Sequence, residues 1–317
     1  IQNKYCDSNA VYQLQPTNNG GVLNVYHMGL AFVELPGYFF GDLFARFSES
    51  PRDGFSKPYH IAFLLNALIF LIAGMVYLRK LLKLFFADKS SGFILLLLYL
   101  GSNLYVTFTQ QYDLTHLYIF TLNAAFLYFF FQYTNSKKRK QLIISAAILG
   151  LTVCIRPTQV LWGIIPLVIL LKNNSSNLKT WLNLLWFPLF GLLWNVPQLI
   201  YWYTIGGQLF IPNLHTEEII IIDPNTIDFL FSYKKGWLIY SPLFFLIVFG
   251  FIYLYKHNRR NFWAIFGFTI LYIYIMSSWE CWWYAASFGS RVMVDIYPLL
   301  AILIGYAFLI SRTLVYR

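Results

Sequence analysis

Apolar residues fall in nine long stretches, at about 59–86, 92–110, 117–134, 141–155, 157–171, 180–203, 237–255, 262–277 and 293–311, separated by short polar loops. A helix needs about 20 apolar residues to cross a bilayer. The pattern therefore predicts an all-α, polytopic transmembrane bundle of about nine spans. Two shorter stretches, 141–155 and 157–171, meet at Arg156-Pro157 and read either as two spans or as one interrupted helix. Parity favours two, because a single passage would put Lys172 and Lys179 on the other side and invert every later basic loop. A chain exposed to lipid has to satisfy its own backbone hydrogen bonds, so residues 59–317 are expected to form one helical domain. Residues 1–58 are then an external loop, with further external loops at 110–116, 204–236 and 278–292. In the first of these, NVYHMGLAFVELPGYFFGDLFARF (24–47) is apolar in bulk but carries Tyr26, His27, Glu34, Asp42 and Arg46. Its Pro36-Gly37 step predicts two short helices lying in the membrane interface, or a loop resting on it.

Charge fixes the orientation. Threading the nine stretches in and out places 15 of the 23 Lys+Arg on one side with a single acid, Asp88, and the remaining 12 of 13 carboxylates on the other. Basic loops stay cytoplasmic, so the acid-bearing face is external. The composition agrees, at 58% hydrophobic and 11% charged. The net charge of +10 is spread over short loops between spans, which accounts for it without a nucleic-acid partner. Residues 1–58 must be external for this threading, and an external start implies at least one span upstream of Ile1. Cys6, Cys154 and Cys281 have no framework spacing. Cys6 and Cys281 share the external side. No metal-ligand spacing, phosphate loop or nucleophile elbow occurs, so neither metal nor cofactor is expected.

The external loops carry the candidate chemistry. In QQYDLTH (110–116), Asp113 and His116 stand three apart, on one face if helical. A carboxylate beside an imidazole can handle a proton; alternatively Asp113 merely caps the helix that follows. Arg156 lies near the outer boundary of a span, where snorkelling relieves a cost of about 2.5–3.5 kcal/mol at the bilayer centre. Its planar fork suits phosphate oxygens. Lys234 and Lys235 precede a later span, and the loop after it gathers Trp279, Glu280, Trp282, Trp283, Tyr284, Arg291 and Asp295. Aromatic residues belong at interfaces anyway, but Glu280 and Arg291 among them fit a sugar-phosphate pocket. Arg46, Arg156, Lys234, Lys235 and Arg291 are the external cations apt for phosphate.

The segments VYHMGLAFVELPGYFFG (25–41), TQQYDLTHLYIF (109–120), GLTVCIRPTQ (150–159), YKKGWLIYSPLFFL (233–246) and WECWWYAASFGSRVMVDIYPLLAI (279–302) together resemble the GT-C-type membrane glycosyltransferases. That group includes protein O-mannosyltransferases and the lipid A aminoarabinose transferase, and the similarity is strongest to uncharacterised bacterial members. The resemblance implies inverting transfer of a sugar from a polyprenyl-phosphate donor to a hydroxyl on a lipid, glycan or protein acceptor. It would take place at the outer face of a bacterial cytoplasmic membrane. It further implies Asp113, His116 and Glu280 as catalytic groups. Arg156, Arg291 and Lys235 would be donor-phosphate ligands, with Tyr26, His27, Trp282 and Trp283 against acceptor or sugar. The family's principal carboxylate follows its first transmembrane helix, and here only Asp7 precedes Glu34, so the main base is expected upstream of Ile1. A flippase for lipid-linked sugars is the alternative, though polar residues gather at one face without the inverted repeats of carriers. A non-catalytic membrane scaffold is the third reading.

Overall fold

In the computed structural model, which describes residues 14–17, 20–174, 177–211, 219–284 and 287–315, each apolar stretch folds as helix. A two-stranded antiparallel ribbon, β1 (Leu14–Pro16) and β2 (Val22–Asn24), pairs Gln15 with Leu23. It leads into α1 (Gly29–Phe47) and α2 (Lys57–Leu82). Next come α3 (Asp88–Leu100), α4 (Leu104–Gln110), α5 (Thr115–Ser136) and α6 (Arg139–Ile155). A 3-10 turn at Pro157–Gly163 opens α7 (Ile164–Asn174), followed by α8 (Leu178–Leu184) and α9 (Trp186–Gly206). Two short helices, α10 (Thr226–Phe231) and α11 (Trp237–Tyr240), precede a 3-10 turn at Pro242–Leu246 and α12 (Ile247–His257). After α13 (Arg259–Ser277), a 3-10 segment at Arg291–Ile296 leads into α14 (Tyr297–Val315).

Among the described residues, Lys57–Leu82, Leu178–Gly206 and Arg291–Leu309 are long and apolar enough to cross a membrane. The pair α3 and α4, bent by 60°, makes a fourth if counted as one span. The expected nine are not reached by this measure, for physical reasons. The helical runs Pro157–Leu171 and Pro242–His257 are short. Helix α5 has 22 residues, but His116, Asn123, Gln132 and Asn135 dilute its apolarity. Of these, His116 and Asn123 are buried, as expected of polar side chains in a bundle, while Asn135 is exposed at the helix end.

The last helix is the axis of the bundle. Its apolar window is 83% buried, against 11% for Leu178–Gly206, and Leu299 to Leu303 are all nearly inaccessible. Helix α12 approaches it closely: a side chain on Gly250 would sit 2.2 Å from the Leu303 carbonyl. Small residues permit such contact where lipid tails compete equally for apolar side chains.

Helix α1 corrects the expectation at Pro36-Gly37. It runs unbroken through Pro36 for 19 residues instead of forming two short helices. Proline costs a helix one hydrogen bond and crowds the preceding turn. The bond lost is the one to the Phe32 carbonyl; packing compensates, with buried Asn66 on α2 tying the adjacent Val33 carbonyl at 3.0 Å. The buried stripe Gly29, Val33, Gly37, Gly41 and Ala45 repeats every fourth residue. The opposite face leaves Phe39, Phe40, Phe44 and Phe47 exposed, Phe47 by 81%. That is the surface a helix lying against lipid presents.

Candidate functional site

Helix α6 ends at Ile155 because the residue before a proline is driven out of the helical region. Arg156 is accordingly extended, at φ −149° and ψ 113°, and Pro157 restarts the chain as a 3-10 turn. The break that the sequence placed at Arg156-Pro157 is therefore real. It carries the Arg156 guanidinium to the start of α5, where His116 is buried, and to Asp295 on the last 3-10 segment, which is 0% exposed.

Asp295 is the centre of this cluster. Its Oδ1 lies 2.8 Å from His116 Nδ1. Its Oδ2 accepts from Gln159 Nε2 at 3.0 Å and lies 3.1 Å from the Tyr272 hydroxyl, which also reaches the Val292 carbonyl at 3.0 Å. Asn123 donates to Gln159 Oε1 at 3.0 Å and to the Asp295 carbonyl at 2.9 Å. Arg156 stands slightly apart, with an Nη1 3.6 Å from Oδ2 and 3.5 Å from His116 Nδ1. Its side chain keeps 25% of its exposure.

Further predicted residues lie in the neighbouring loops. Arg291, four residues before Asp295, is within electrostatic range of His116, as Arg156 is. Burial raises the Tyr284 phenol, and the positive charges of Arg156 and Arg291 oppose that rise. Lys235 is held below its usual value by burial first, then by Arg291 and Lys234. Lys234 Nζ stands 3.6 Å from the centroid of Trp283, a cation–π distance. Trp282 is buried and meets Trp283 edge-on at 5.8 Å. Tyr284 adopts φ 51°, uncommon for a bulky residue, with its hydroxyl donating to the Met276 carbonyl at 2.9 Å. Three segments distant in sequence thus bring together Arg156 beside the buried Asp295 carboxylate, Arg291 within electrostatic range of His116, and Lys235 within range of Arg291.

Other predicted residues are arranged differently. Asp113 is exposed and does not cap α5, whose N-cap is Leu114 without a side-chain hydrogen bond. The partner of His116 is Asp295. Asp113 instead acts on Glu34, whose carboxyl burial raises to about 7, the nearby Tyr118 hydroxyl opposing and the Asp113 charge adding. Glu280 is exposed. Tyr26 is half-exposed, and His27 packs edge-on against Trp202 at 5.4 Å. Arg46 is engaged by Asp42 at 3.0 Å, so it is a poor phosphate candidate. Cys6 lies outside the described residues, as do Glu217 and Glu218.

The sequence reading missed the centre of the network. Asp295 was noted only as one polar residue of its loop, and Gln159, Asn123 and Tyr272 were not singled out. The available signal was polarity inside apolar stretches: Asn123 and Tyr272 interrupt helices that otherwise face lipid or core.

No protein-family model matches the chain, and no curated protein matches it. Its fold is similar to that of an archaeal oligosaccharyltransferase, AglB from Archaeoglobus fulgidus, solved in complex with an inhibitory peptide and a dolichol-phosphate. The TM-score is 0.56 at 11% identity. The match covers 96% of this chain and 45% of that one. The likeness is one of fold, and this chain spans less than half the length of the protein it resembles.

Proposed function

We propose that the chain is the membrane-embedded part of a glycosyltransferase that moves a sugar from a polyprenyl-phosphate donor to a hydroxyl acceptor, with inversion. The carrying observation is Arg156. It is set at a helix break, lies 3.6 Å from the Asp295 carboxylate and 3.5 Å from His116 Nδ1, and keeps part of its side chain exposed. A guanidinium with unspent donors beside two more cations suits a phosphate group. The GT-C-like fold supports the reading.

In the proposed reaction the acceptor oxygen attacks the anomeric carbon as the bond from that carbon to the phosphate oxygen breaks. The phosphate leaves with the bonding electrons, and Arg156, Arg291 and Lys235 stabilise its growing charge, the kind of term that dominates many barriers. The acceptor proton passes to a carboxylate or imidazole, for which His116, Asp113 and Glu280 are the candidates. Trp282 and Trp283, with Tyr26 and His27, would contact sugar or acceptor. The bundle faces the bilayer from which the prenyl chain enters. On this reading the site acts at the outer face of a bacterial cytoplasmic membrane.

The test is transfer of labelled sugar from polyprenyl-phosphate donors by the full-length protein in proteoliposomes. Arg156→Ala and Arg291→Ala should each lower turnover by more than about tenfold, measured at a temperature where both variants remain folded. Wild-type turnover in both variants would end the phosphate-clamp reading. Movement of donor across the membrane without covalent transfer would favour a flippase.

A further inference from the structure

The Asp295 carboxylate is fully buried, receives donors on both oxygens, and keeps its compensating cation just outside hydrogen-bond range. We infer that Asp295 is a positioning residue: it holds the Arg156 guanidinium in place without consuming its donors, so that anion binding at Arg156 depends on the Asp295 charge. The inference rests on the proposed reading of Arg156 as a phosphate ligand.

The hydrogen-bond inventory carries the argument. Gln159 cannot turn freely, because its Oε1 accepts from Asn123 Nδ2 at 3.0 Å, which leaves its amide N–H facing Asp295 Oδ2 at 3.0 Å. His116 Nδ1 lies 2.8 Å from Oδ1, and the Tyr272 hydroxyl lies 3.1 Å from Oδ2. Donors on both oxygens match an ionised carboxylate, which only accepts. A buried carboxylate needs a compensating charge, and Arg156 supplies it from 3.6 Å. With both oxygens already occupied, the guanidinium cannot close on them as a two-point fork. When His116 Nδ1 donates to Asp295, that nitrogen and Arg156 Nη1 are both donors, so their 3.5 Å approach is a spacing and not a bond. Arg156 is thereby fixed by charge and left able to donate elsewhere. The segment that carries Asp295 also carries Arg291, so the same network sets where the two arginines stand relative to one another.

A double-mutant cycle tests this on the full-length protein in nanodiscs. The probe is a polyprenyl phosphate without sugar, and its dissociation constant is measured for wild type, Asp295→Asn, Arg156→Ala and the double variant. Each single variant should weaken binding by about tenfold, and the double by no more than either single, since coupled residues are non-additive. A purely structural Asp295 would lower the melting temperature while the two losses multiplied, and that result overturns the inference. Probe affinity unchanged in Asp295→Asn overturns it as well. Should Asp295→Asn fail to fold, Gln159→Leu takes its place. It frees Oδ2 for Arg156 to close upon, and should weaken the probe severalfold with the same non-additivity; unchanged binding overturns the inference. Asp88→Asn, in an ion pair with Arg79, is the control expected to leave the affinity unchanged. If Arg156→Ala binds the probe like wild type, the phosphate reading falls and the inference with it. If Arg156→Ala weakens the probe and Asp295→Asn does not, the inference alone falls.

Discussion

Asp42 and Asp295 each meet arginine and tyrosine, and the two clusters use them in opposite ways. Arg52 closes on Asp42 with two donors, Nε at 2.8 Å and an Nη at 3.1 Å. Arg46 adds a second guanidinium and Tyr59 a hydroxyl at 3.0 Å. Both arginines turn their forks onto one carboxylate near the surface, which holds it down at about 2. Asp295 is filled instead by His116, Gln159 and Tyr272, and its arginine is kept at 3.6 Å. The lesson lies in valence. A carboxylate whose two oxygens are taken by His116, Gln159 and Tyr272 keeps a cation near without capturing it, whereas one met by two guanidinium groups and a single tyrosine hydroxyl captures them. The first arrangement leaves a usable cation; the second is a clasp that ties the end of α1 to the loop and helix that follow.

Breaking the buried cluster should have the largest effect. Asp295→Ala strands His116, Gln159, Tyr272 and Arg156 around a hole, and removing one member of a buried ionic network costs about 3–5 kcal/mol. Thermal unfolding in detergent should show a large drop or no folded protein. A melting temperature near wild type would mean that the network is not closed as described.

Glu34, on the same helix as Asp42 but half-buried, gives an intermediate test. Burial raises its carboxyl from 4.5 to about 7, with Tyr118 and Asp113 as its facing groups. Between those values the folded state binds more protons than the unfolded one, so this group makes stability fall as pH rises through the window. Melting curves from pH 4.5 to 7 should show that slope in wild type and a flatter one in Glu34→Gln. An unchanged slope would place the carboxyl in water.

The smallest effect should come from the surface clasp. Arg52→Ala leaves Arg46 on Asp42, and exposed ion pairs contribute little. Near neutral pH its melting temperature should stay within the scatter of surface substitutions. Because the Asp42 value is depressed, whatever stability the clasp adds is present above the ordinary carboxylate range and fades as pH falls toward 2. A drop as large as that of Asp295→Ala would erase the distinction between the two clusters.

Much of the architecture was legible in the chain. Long apolar runs can satisfy their backbone groups in lipid only as helices, and the Arg156-Pro157 break followed from the constraint a proline places on its neighbour. Pro36 obeys the same local rule and yet does not end α1, because Asn66 and the packing of α2 against the glycine stripe outweigh it. The fold also explains why Asp113 and His116 looked like a pair. Three residues apart, they satisfy helical spacing, but the helix begins only at Thr115.

Sequence alone determined that the long apolar stretches form helices, that one of them stops at Arg156-Pro157 and which loops carry charge, since these depend on neighbours within a few residues. It also singled out Arg156 as a cation at a helix end. What it could not determine is which carboxylate that cation faces. His116 and Asp295 are 179 positions apart, and Gln159 and Asp295 are 136 apart. Only the packing of α5, the Arg156 break, α13 and the last 3-10 segment brings those donors to one pair of oxygens, because a hydrogen bond acts over about 3 Å of space and is indifferent to distance along the chain.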